Sequence, residues 1–331
     1  MPGSSISNGN PLPGMKKMKS FVFSVFEKIV ELLARTGINK KTPGASAVYN
    51  YLFRGLWPYP EFIEVQGSRM YLNPKEKCLD MKKTFKDYAD NLIHEEATTA
   101  LFKKNVREGN VVVDLGANIG YFTLLASRIV GPKGKVFAFE PEPRNYSYLK
   151  KNIEINSYKQ AAAFRKAVSS QNGKTELFIC DYDSGHHTIN QFSGIETYGR
   201  GRDSRKTAIE IETVALDDFL REKAGHVDVI KMDVEGAEFL ALSGMDKILR
   251  NNKGLKMFVE FFPLLIEKMG NSPREFIERL LGDYNFSVFV IPDDYDASKH
   301  EMVKINSAEE AMAFIKKEED HINLFLEKKP K

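Results

Sequence analysis

The sequence predicts an α/β fold built around a mostly parallel sheet. From Val111 onward, short apolar runs alternate with segments of helical periodicity, as expected when strands and helices alternate along the chain. A Gly-containing loop joins the first of these runs to a helix, within a strand–helix–strand unit of ordinary length. Ligands of such folds bind at the carboxyl ends of the strands, so the residues that follow each strand are the first candidates for a functional site.

The first strand and its loop form the stretch VVVDLGANIGYF. The apolar run Val111–Val113 is followed by Asp114 and then by a loop that contains Gly116, Asn118 and Gly120. Glycine allows a ligand to approach the backbone closely, and the helix that follows offers free N–H groups to an anion. Asp114 precedes the first glycine, where it would repel a pyrophosphate but suits a cationic group. The α-ammonium of S-adenosylmethionine (SAM) is such a group.

The second strand, Val136–Phe139, ends in Glu140. An acidic side chain at the tip of the second strand can accept hydrogen bonds from two ribose hydroxyls. The loop and Glu140 together predict a cofactor with a nucleoside at one end. The adenine partner is expected after the third strand, around Ala167 and Val168.

Acidic residues also follow the later strands. Further strands are predicted at Ala162–Val168, Lys174–Cys180, Thr207–Val214, Val227–Met232, Leu255–Val259, Asn285–Ile291 and His321–Leu326. Asp233 and Glu260 each come directly after one of them, and should therefore lie at the same edge of the sheet as Asp114 and Glu140. The polar segment Asp181–Lys206 is expected to leave the sheet and to cover the site.

The candidate catalytic base is Asp233, with Glu235 second and His187 or His186 third. A general base would be needed if the reaction transfers a group to a hydroxyl, as the resemblance described below implies, because a hydroxyl has a high pKa. Two alternatives stay open: Asp233 can instead cap the next helix, and the histidines can belong to a polar surface loop. No metal-ligand spacing accompanies these residues, so no metal is expected.

Two separated stretches resemble the FkbM-type methyltransferases. They are VVVDLGANIGYFTLLASRIVGPKGKVFAFEPEPRNYSYLKKNI and, after VALDDFL, VDVIKMDVEGAEFLAL; together they cover about Val106–Phe261. The resemblance implies a class I, Rossmann-like methyltransferase fold with a seven-stranded sheet whose last strand is antiparallel. It also implies SAM as the methyl donor and O-methylation of a sugar or polyketide-type hydroxyl. The acceptor itself is not indicated.

Three regions are predicted: a flexible N-terminus over residues 1–20, a helical accessory region over residues 21–105 and a methyltransferase domain over residues 106–331. Phe21–Leu33 predicts an amphipathic helix next to Lys16, Lys17 and Lys19. It either packs on the main domain or a partner chain, or binds a lipid monolayer. Asp90–Glu96 is either a solvated helix face or a segment that lies across the cofactor pocket.

Composition limits the function classes. The 331 residues are 42% hydrophobic and 28% charged with a net charge of +3, which is ordinary for a globular protein and does not favour nucleic acid. Neither Cys78 nor Cys180 belongs to a zinc-type pair, and no apolar run is long enough to cross a membrane. We therefore expect a cytoplasmic, at most membrane-peripheral, methyltransferase with a small-molecule or glycan acceptor. An RNA or protein methyltransferase, or a non-catalytic binding module, are the alternatives.

Overall fold

The computed structural model describes residues 13–36, 45–73, 76, 79–179, 187–189, 207–291, 301–317 and 320–328. His186, both cysteines and most of the segment Asp181–Lys206 lie outside the described residues.

In the described part of the N-terminal region there are four helices and one hairpin. They are α1 (Pro13–Thr36), α2 (Ala45–Leu56), β1 (Phe62–Val65), β2 (Ser68–Tyr71), α3 (Leu79–Ala89) and α4 (Glu96–Asn105). The amphipathic helix predicted at Phe21–Leu33 is present but begins at Pro13, inside the stretch that the sequence predicts to be flexible. The strands β1 and β2 form an antiparallel hairpin with its turn at Gln66 and Gly67.

Strands and helices alternate in the remainder of the chain. In its first half they are β3 (Val111–Leu115), α5 (Tyr121–Val130), β4 (Lys135–Phe139), α6 (Pro143–Ile155), β5 (Ala161–Phe164), β6 (Lys166–Val168), β7 (Gly173–Ile179), β8 (Thr207–Val214) and α7 (Leu216–Leu220). In its second half they are β9 (Val229–Met232), α8 (Glu238–Ser243), α9 (Asp246–Asn251), β10 (Lys256–Phe261), α10 (Pro263–Lys268), α11 (Pro273–Leu281), β11 (Phe286–Val290), β12 (Val303–Ile305), α12 (Ala308–Met312) and β13 (Ile322–Lys328).

The main sheet has the strand order β12-β11-β13-β10-β9-β3-β4-β5. The strands β5, β4, β3, β9 and β10 are parallel, whereas β13 is antiparallel to both of its neighbours. This confirms the mostly parallel sheet with an antiparallel last strand. The sheet has eight strands in the described residues rather than seven, because β12 adds to the edge against β11.

The predicted third strand, Ala162–Val168, is two strands. The chain leaves the main sheet at Arg165, and Lys166–Val168 pairs with β8 in a separate three-stranded sheet of order β6-β8-β7. Arg165 and Lys166 interrupt the apolar residues at the break, and the prediction of a single strand overlooked this charged pair. The second sheet brings Ala167 and Val168 to the edge that β4 and β9 also reach.

Both faces of the main sheet are covered. Neighbouring residues of a strand point to opposite faces, and accordingly Val113 lies in the core cluster under α7–α11, whereas Val112 lies in the cluster on the other face. The second cluster includes Phe102 of α4 and Phe85 of α3. The N-terminal region therefore shares a core with the sheet and covers the face that carries α5. Among the described residues, no helix has both the length and the apolar character needed to span a membrane.

Candidate functional site

The loop after β3 passes directly against the end of β9. Gly116 has φ 77°, and a Cβ atom placed on it would lie 1.6 Å from the backbone oxygen of Asp233. Gly120 precedes α5 with φ 101°, and a Cβ there would lie 2.8 Å from the side chain of Leu149. Both glycines are therefore required by the path of the backbone.

Asp114 lies at the end of β3 with 2% of its surface exposed. The hydroxyl of Thr123, in the first turn of α5, donates a hydrogen bond of 2.5 Å to its Oδ2. Burial raises the pKa of Asp114 to about 6, against the opposing effect of that hydrogen bond. A cation bound beside this carboxyl group would favour its ionised form.

Glu140 lies at the end of β4 and is 5% exposed. The backbone N–H of Asn118 donates to its Oε2 at 2.8 Å, and the backbone N–H of Glu142 donates to its Oε1 at 2.9 Å. Burial raises the pKa of Glu140 to about 8, although both N–H donors oppose this. The two bonds fix the carboxyl group and leave a second lone pair on each oxygen for a ligand hydroxyl.

The first of two clefts lies beside Glu140. Its apolar walls come from the end of β4, from β6 and β7, and from the segment 187–189; they include Phe139, Ala167, Val168, Leu177 and Ile189. The hydroxyl of Thr188 donates to the backbone oxygen of Glu235 at 3.0 Å, which ties this segment to the residues after β9. The cleft combines apolar walls with one buried carboxyl group, and this combination suits a nucleoside.

The second cleft lies on the other side of the β3 loop. It is lined by Asp114 and by Tyr88, His94, Tyr121 and Lys231. Gly116, Asn118 and Asp233 line both clefts. The clefts therefore meet where the Gly116 loop approaches β9.

The segment before α4 does reach the second cleft, as one of its two interpretations predicts. The imidazole of His94 packs edge-on against Tyr121, with 5.2 Å between the ring centroids, and its Nε2 lies 3.3 Å from Oε1 of Glu95. Glu95 has φ 43°, an unfavourable conformation for a residue with a side chain. Asp90 points elsewhere, since it pairs with Lys86 on α3.

Lys231 on β9 is a site residue that the sequence prediction missed. It is 2% exposed, and its Nζ lies 3.7 Å from Oε2 of Glu95 and 3.8 Å from Oδ2 of Asp233. Burial would lower the pKa of Lys231, but Glu95, Asp233 and the other carboxylates nearby raise it above its usual range, so the side chain is an ammonium. A lysine inside the otherwise apolar strand Val229–Met232 was the available signal.

The predicted catalytic acids Asp233 and Glu235 follow β9 and form one cluster with Glu260, which lies near the end of β10. Asp233, Glu235 and Glu260 can each place a carboxylate oxygen within 4.8 Å of the others, and Nε2 of His321 lies 3.3 Å from Glu260. Burial and the neighbouring Asp233 raise the pKa of Glu260 well above its usual range, which favours its protonated form. Asp233 does not cap the next helix, because α8 begins only at Glu238.

The three candidate bases differ in which of the two clefts they line. Asp233 lines both clefts, whereas Glu235 and His187 line only the first. Asp233 is thus the one of the three that reaches the junction between the clefts.

The sequence matches the model of one protein family. The model of the FkbM methyltransferase domain matches residues 114–288.

Three curated relatives have methyltransferase names. The chain is 28% identical over 255 residues to methyltransferase sdnD of Sordaria araneosa. The matched region covers 69% of this chain and 90% of that relative. It is 28% identical over 160 residues to the hexuronic acid methyltransferase AglP of Haloferax volcanii, covering 47% and 59% of the two chains. It is 27% identical over 169 residues to the 2-O-methyltransferase NoeI of Sinorhizobium fredii, covering 49% and 66%. The last two matches thus span less than two thirds of those relatives.

The close approach of Gly116 to β9 gives a test by substitution. Gly116→Ala should destabilise the protein by about 2–4 kcal/mol, because it adds a backbone clash to the strain of positive φ. Gly109→Ala is the matched control: its φ is +82°, but a Cβ there meets nothing within 4 Å, so it should cost about 1 kcal/mol. Urea unfolding measures the free energy of unfolding of both variants. If both lose the same amount, the Gly116 backbone does not lie tightly against the backbone oxygen of Asp233.

Lys231 gives a prediction with a defined pH dependence. Burial opposes ionisation of Glu95, but Lys231 and His94 lower its pKa to about 2. In the unfolded chain the pKa of Glu95 is near 4.5, so its lowered pKa in the folded protein stabilises the fold at pH values above 4.5. This stabilisation is lost as the pH falls toward 2. Lys231→Met should therefore cost about 2–3 kcal/mol at pH 7 and progressively less below pH 4. A deficit that is independent of pH would contradict the ion pair.

Proposed function

Because the FkbM methyltransferase domain covers more than half of its 331 residues, the chain belongs to that family, and we propose that it transfers a methyl group from SAM to a hydroxyl of a sugar, glycan or other small natural product. The observation that carries this proposal is the pair of buried carboxyl groups, Asp114 and Glu140, at the ends of adjacent parallel strands on either side of the Gly116 loop.

The two clefts fit the two ends of SAM. In our proposal the nucleoside occupies the first cleft, where Glu140 accepts hydrogen bonds from the ribose and the side chains around Val168 and Leu177 contact the adenine. The amino-acid end lies in the second cleft, where Asp114 faces its ammonium. Gly116 and Asn118 line both clefts and shape the passage between them.

The charge of the second cleft supports a cationic ligand. Bound SAM supplies an activated methyl group on a positively charged sulfur, next to a second positive charge on its ammonium. Asp114, Glu95 and Asp233 lie around this cleft, with Lys231 as the buried counter-charge. Asp114 and Asp233 line the cleft, and Glu95 already pairs with Lys231, so the acidic side chains outnumber the lysine and favour the sulfonium and ammonium groups of SAM over an anionic ligand.

Asp233 is the proposed general base. It lines both clefts and is partly exposed, so an acceptor hydroxyl can approach it where the clefts meet. In the transfer the acceptor oxygen bonds to the methyl carbon, the carbon–sulfur bond breaks, and the hydroxyl proton passes to Asp233. Glu235 and His187 remain the second and third candidates. The protein contributes chiefly alignment and exclusion of water, since the donor is already activated.

Two observations support a carbohydrate hydroxyl as the methyl acceptor: the names of two relatives and the net charge of the part of the chain that contains the site. The names of two relatives specify a hexuronic acid and a 2-O position, which supports a carbohydrate hydroxyl. Residues 57–331 hold 40 basic and 43 acidic side chains, so the part of the chain that contains the site lacks the positive charge typical of RNA-binding surfaces.

A direct assay tests this function. The protein is incubated with methyl-labelled SAM and a panel of glycosides that includes hexuronic acid glycosides, and the product is treated with alkali. Alkali-stable label on the glycoside shows a methyl ether and supports O-methylation of a hydroxyl. Label that alkali releases shows a methyl ester and contradicts O-methylation of a hydroxyl. Label that appears only on RNA or protein in parallel reactions would show that the protein is an RNA or protein methyltransferase instead.

Asp114 makes cofactor affinity depend on pH. Its pKa of about 6 in the free protein means that SAM must displace a proton below pH 6. Below pH 6 the affinity should therefore fall about tenfold more per pH unit than it does above pH 6, in addition to any dependence that comes from Glu140 with its pKa of about 8. Asp114→Asn should bind weakly and lose this dependence, whereas Glu108→Gln, at a residue on the surface, should keep it. Calorimetry from pH 5 to 7 measures this, and equal curves for wild type and Asp114→Asn would remove Asp114 from the cofactor site.

Asp233 can be tested separately from cofactor binding. Asp233→Asn should leave SAM affinity within a few-fold of wild type and lower turnover by about a hundredfold or more, because the acceptor loses its base. Glu235→Gln is the comparison at the second candidate and should lower turnover less. Full activity of Asp233→Asn would exclude Asp233, and a larger loss in Glu235→Gln would transfer the role to Glu235.

A further inference from the structure

The first two helices bury one face and expose another. Phe23 of α1 is 2% exposed and packs against Phe53 and Trp57, with ring centroids 5.3 and 5.6 Å apart. This contact supports the packing interpretation for one face of α1. Elsewhere on the helix the exposed large apolar side chains are Met18, Phe21, Val22, Val25, Ile29 and Leu32.

These side chains form a continuous stripe. Met18, Val22, Val25, Ile29 and Leu32 follow one another at steps of four and three residues, which keeps them on one side of a helix over about 21 Å. Phe21 flanks the stripe and is 70% exposed.

Helix α2 shows the same division. Tyr49 and Phe53 face α1, with 5.7 Å between the rings of Tyr49 and Phe26, while Val48, Tyr51 and Leu52 are exposed. The N-terminal apolar surface is the set of these three residues and the six exposed apolar residues of α1. A surface of nine large apolar side chains on one helix pair marks an interaction site.

Positive charge is concentrated in the same part of the chain. Residues 1–56 contain eight Lys and Arg and only two Asp and Glu, whereas residues 57–331 contain 40 basic and 43 acidic residues. Lys19 and Lys28 on α1 and Arg54 on α2 are exposed. One acidic residue of α1, Glu27, is already paired with Lys86 of α3 at 3.7 Å, so it offsets little of this charge toward a partner.

We propose that α1 and α2 dock the protein on an anionic lipid surface, with α1 lying in the plane of the headgroups. Exposed aromatic and aliphatic side chains enter the boundary between headgroups and acyl chains, and the basic residues attract the anionic lipids. The buried face of α1 stays on the protein, because Phe23 holds it against Phe53 and Trp57. The proposal does not depend on the methyl acceptor.

Charge complementarity favours lipid over a second copy of the chain. A twofold interface between two copies would place the same surface against itself, and would therefore bring two strongly basic segments together. An anionic lipid surface neutralises that charge instead.

Vesicle flotation tests the proposal with the full chain. Wild type should float with phosphatidylcholine vesicles that contain phosphatidylserine, and should float at least tenfold less with phosphatidylcholine alone or at high salt. Phe21→Ser/Ile29→Ser/Leu32→Ser should lower flotation at least tenfold. Lys19→Glu/Lys28→Glu should also lower it, because these substitutions oppose the anionic lipid.

The matched control replaces three exposed apolar side chains elsewhere, in Met302→Ser/Val303→Ser/Phe314→Ser, and should float like wild type. Circular dichroism and SAM affinity show that each variant is folded. Absence of flotation in wild type, or equal loss in the control, would overturn the proposal. So would a wild-type dimer in light scattering that the α1 triple variant converts to a monomer, because the surface would then be occupied by a second copy.

Discussion

The approach of the Gly116 backbone to the carbonyl of Asp233 is the constraint on which the site depends. It closes the space between the ends of β3 and β9, so that residues from both strands line the same passage. Glu140 lies on one side of this passage and Asp114 on the other. A ligand that reaches both must cross the strand ends next to Asp233, and this places the reacting atom of a cofactor beside the proposed base.

The arrangement of charge follows from burial. Carboxyl groups that are buried at the strand ends differ in their environments: Lys231 and His94 hold Glu95 ionised, whereas burial and Asp233 raise the pKa of Glu260 and favour its protonated form. The pKa of Asp114 is raised to about 6, so it is sensitive to the charge of its ligand. The ammonium and sulfonium groups of SAM would add positive charge beside these carboxyl groups, and Asp114 and Asp233, which line the second cleft, are consistent with that role.

The strand-end residues were predictable because parallel strands bring their carboxyl ends to one edge, so position along the chain was sufficient for Asp114, Glu140 and Asp233. Lys231 was not predicted, since its role comes from a contact with Glu95, which belongs to a distant segment. The break at Arg165 was missed although Arg165 and Lys166 interrupt the apolar residues there, because Ala167 and Val168 resume the pattern directly afterwards. The added strand β12 depends on pairing with β11, which no local pattern encodes. The regions 1–20, 21–105 and 106–331 remain a prediction, although the helical region shares a core with the sheet.

The most direct test of the central claim is a crystal structure of the protein with S-adenosylhomocysteine, the demethylated product of SAM. The account predicts ribose hydroxyls on the carboxyl group of Glu140, the ammonium beside Asp114, and the sulfur at the passage between Gly116 and Asp233. A nucleoside bound elsewhere, or a passage that stays closed by the protein's own side chains at saturating ligand, would contradict the account.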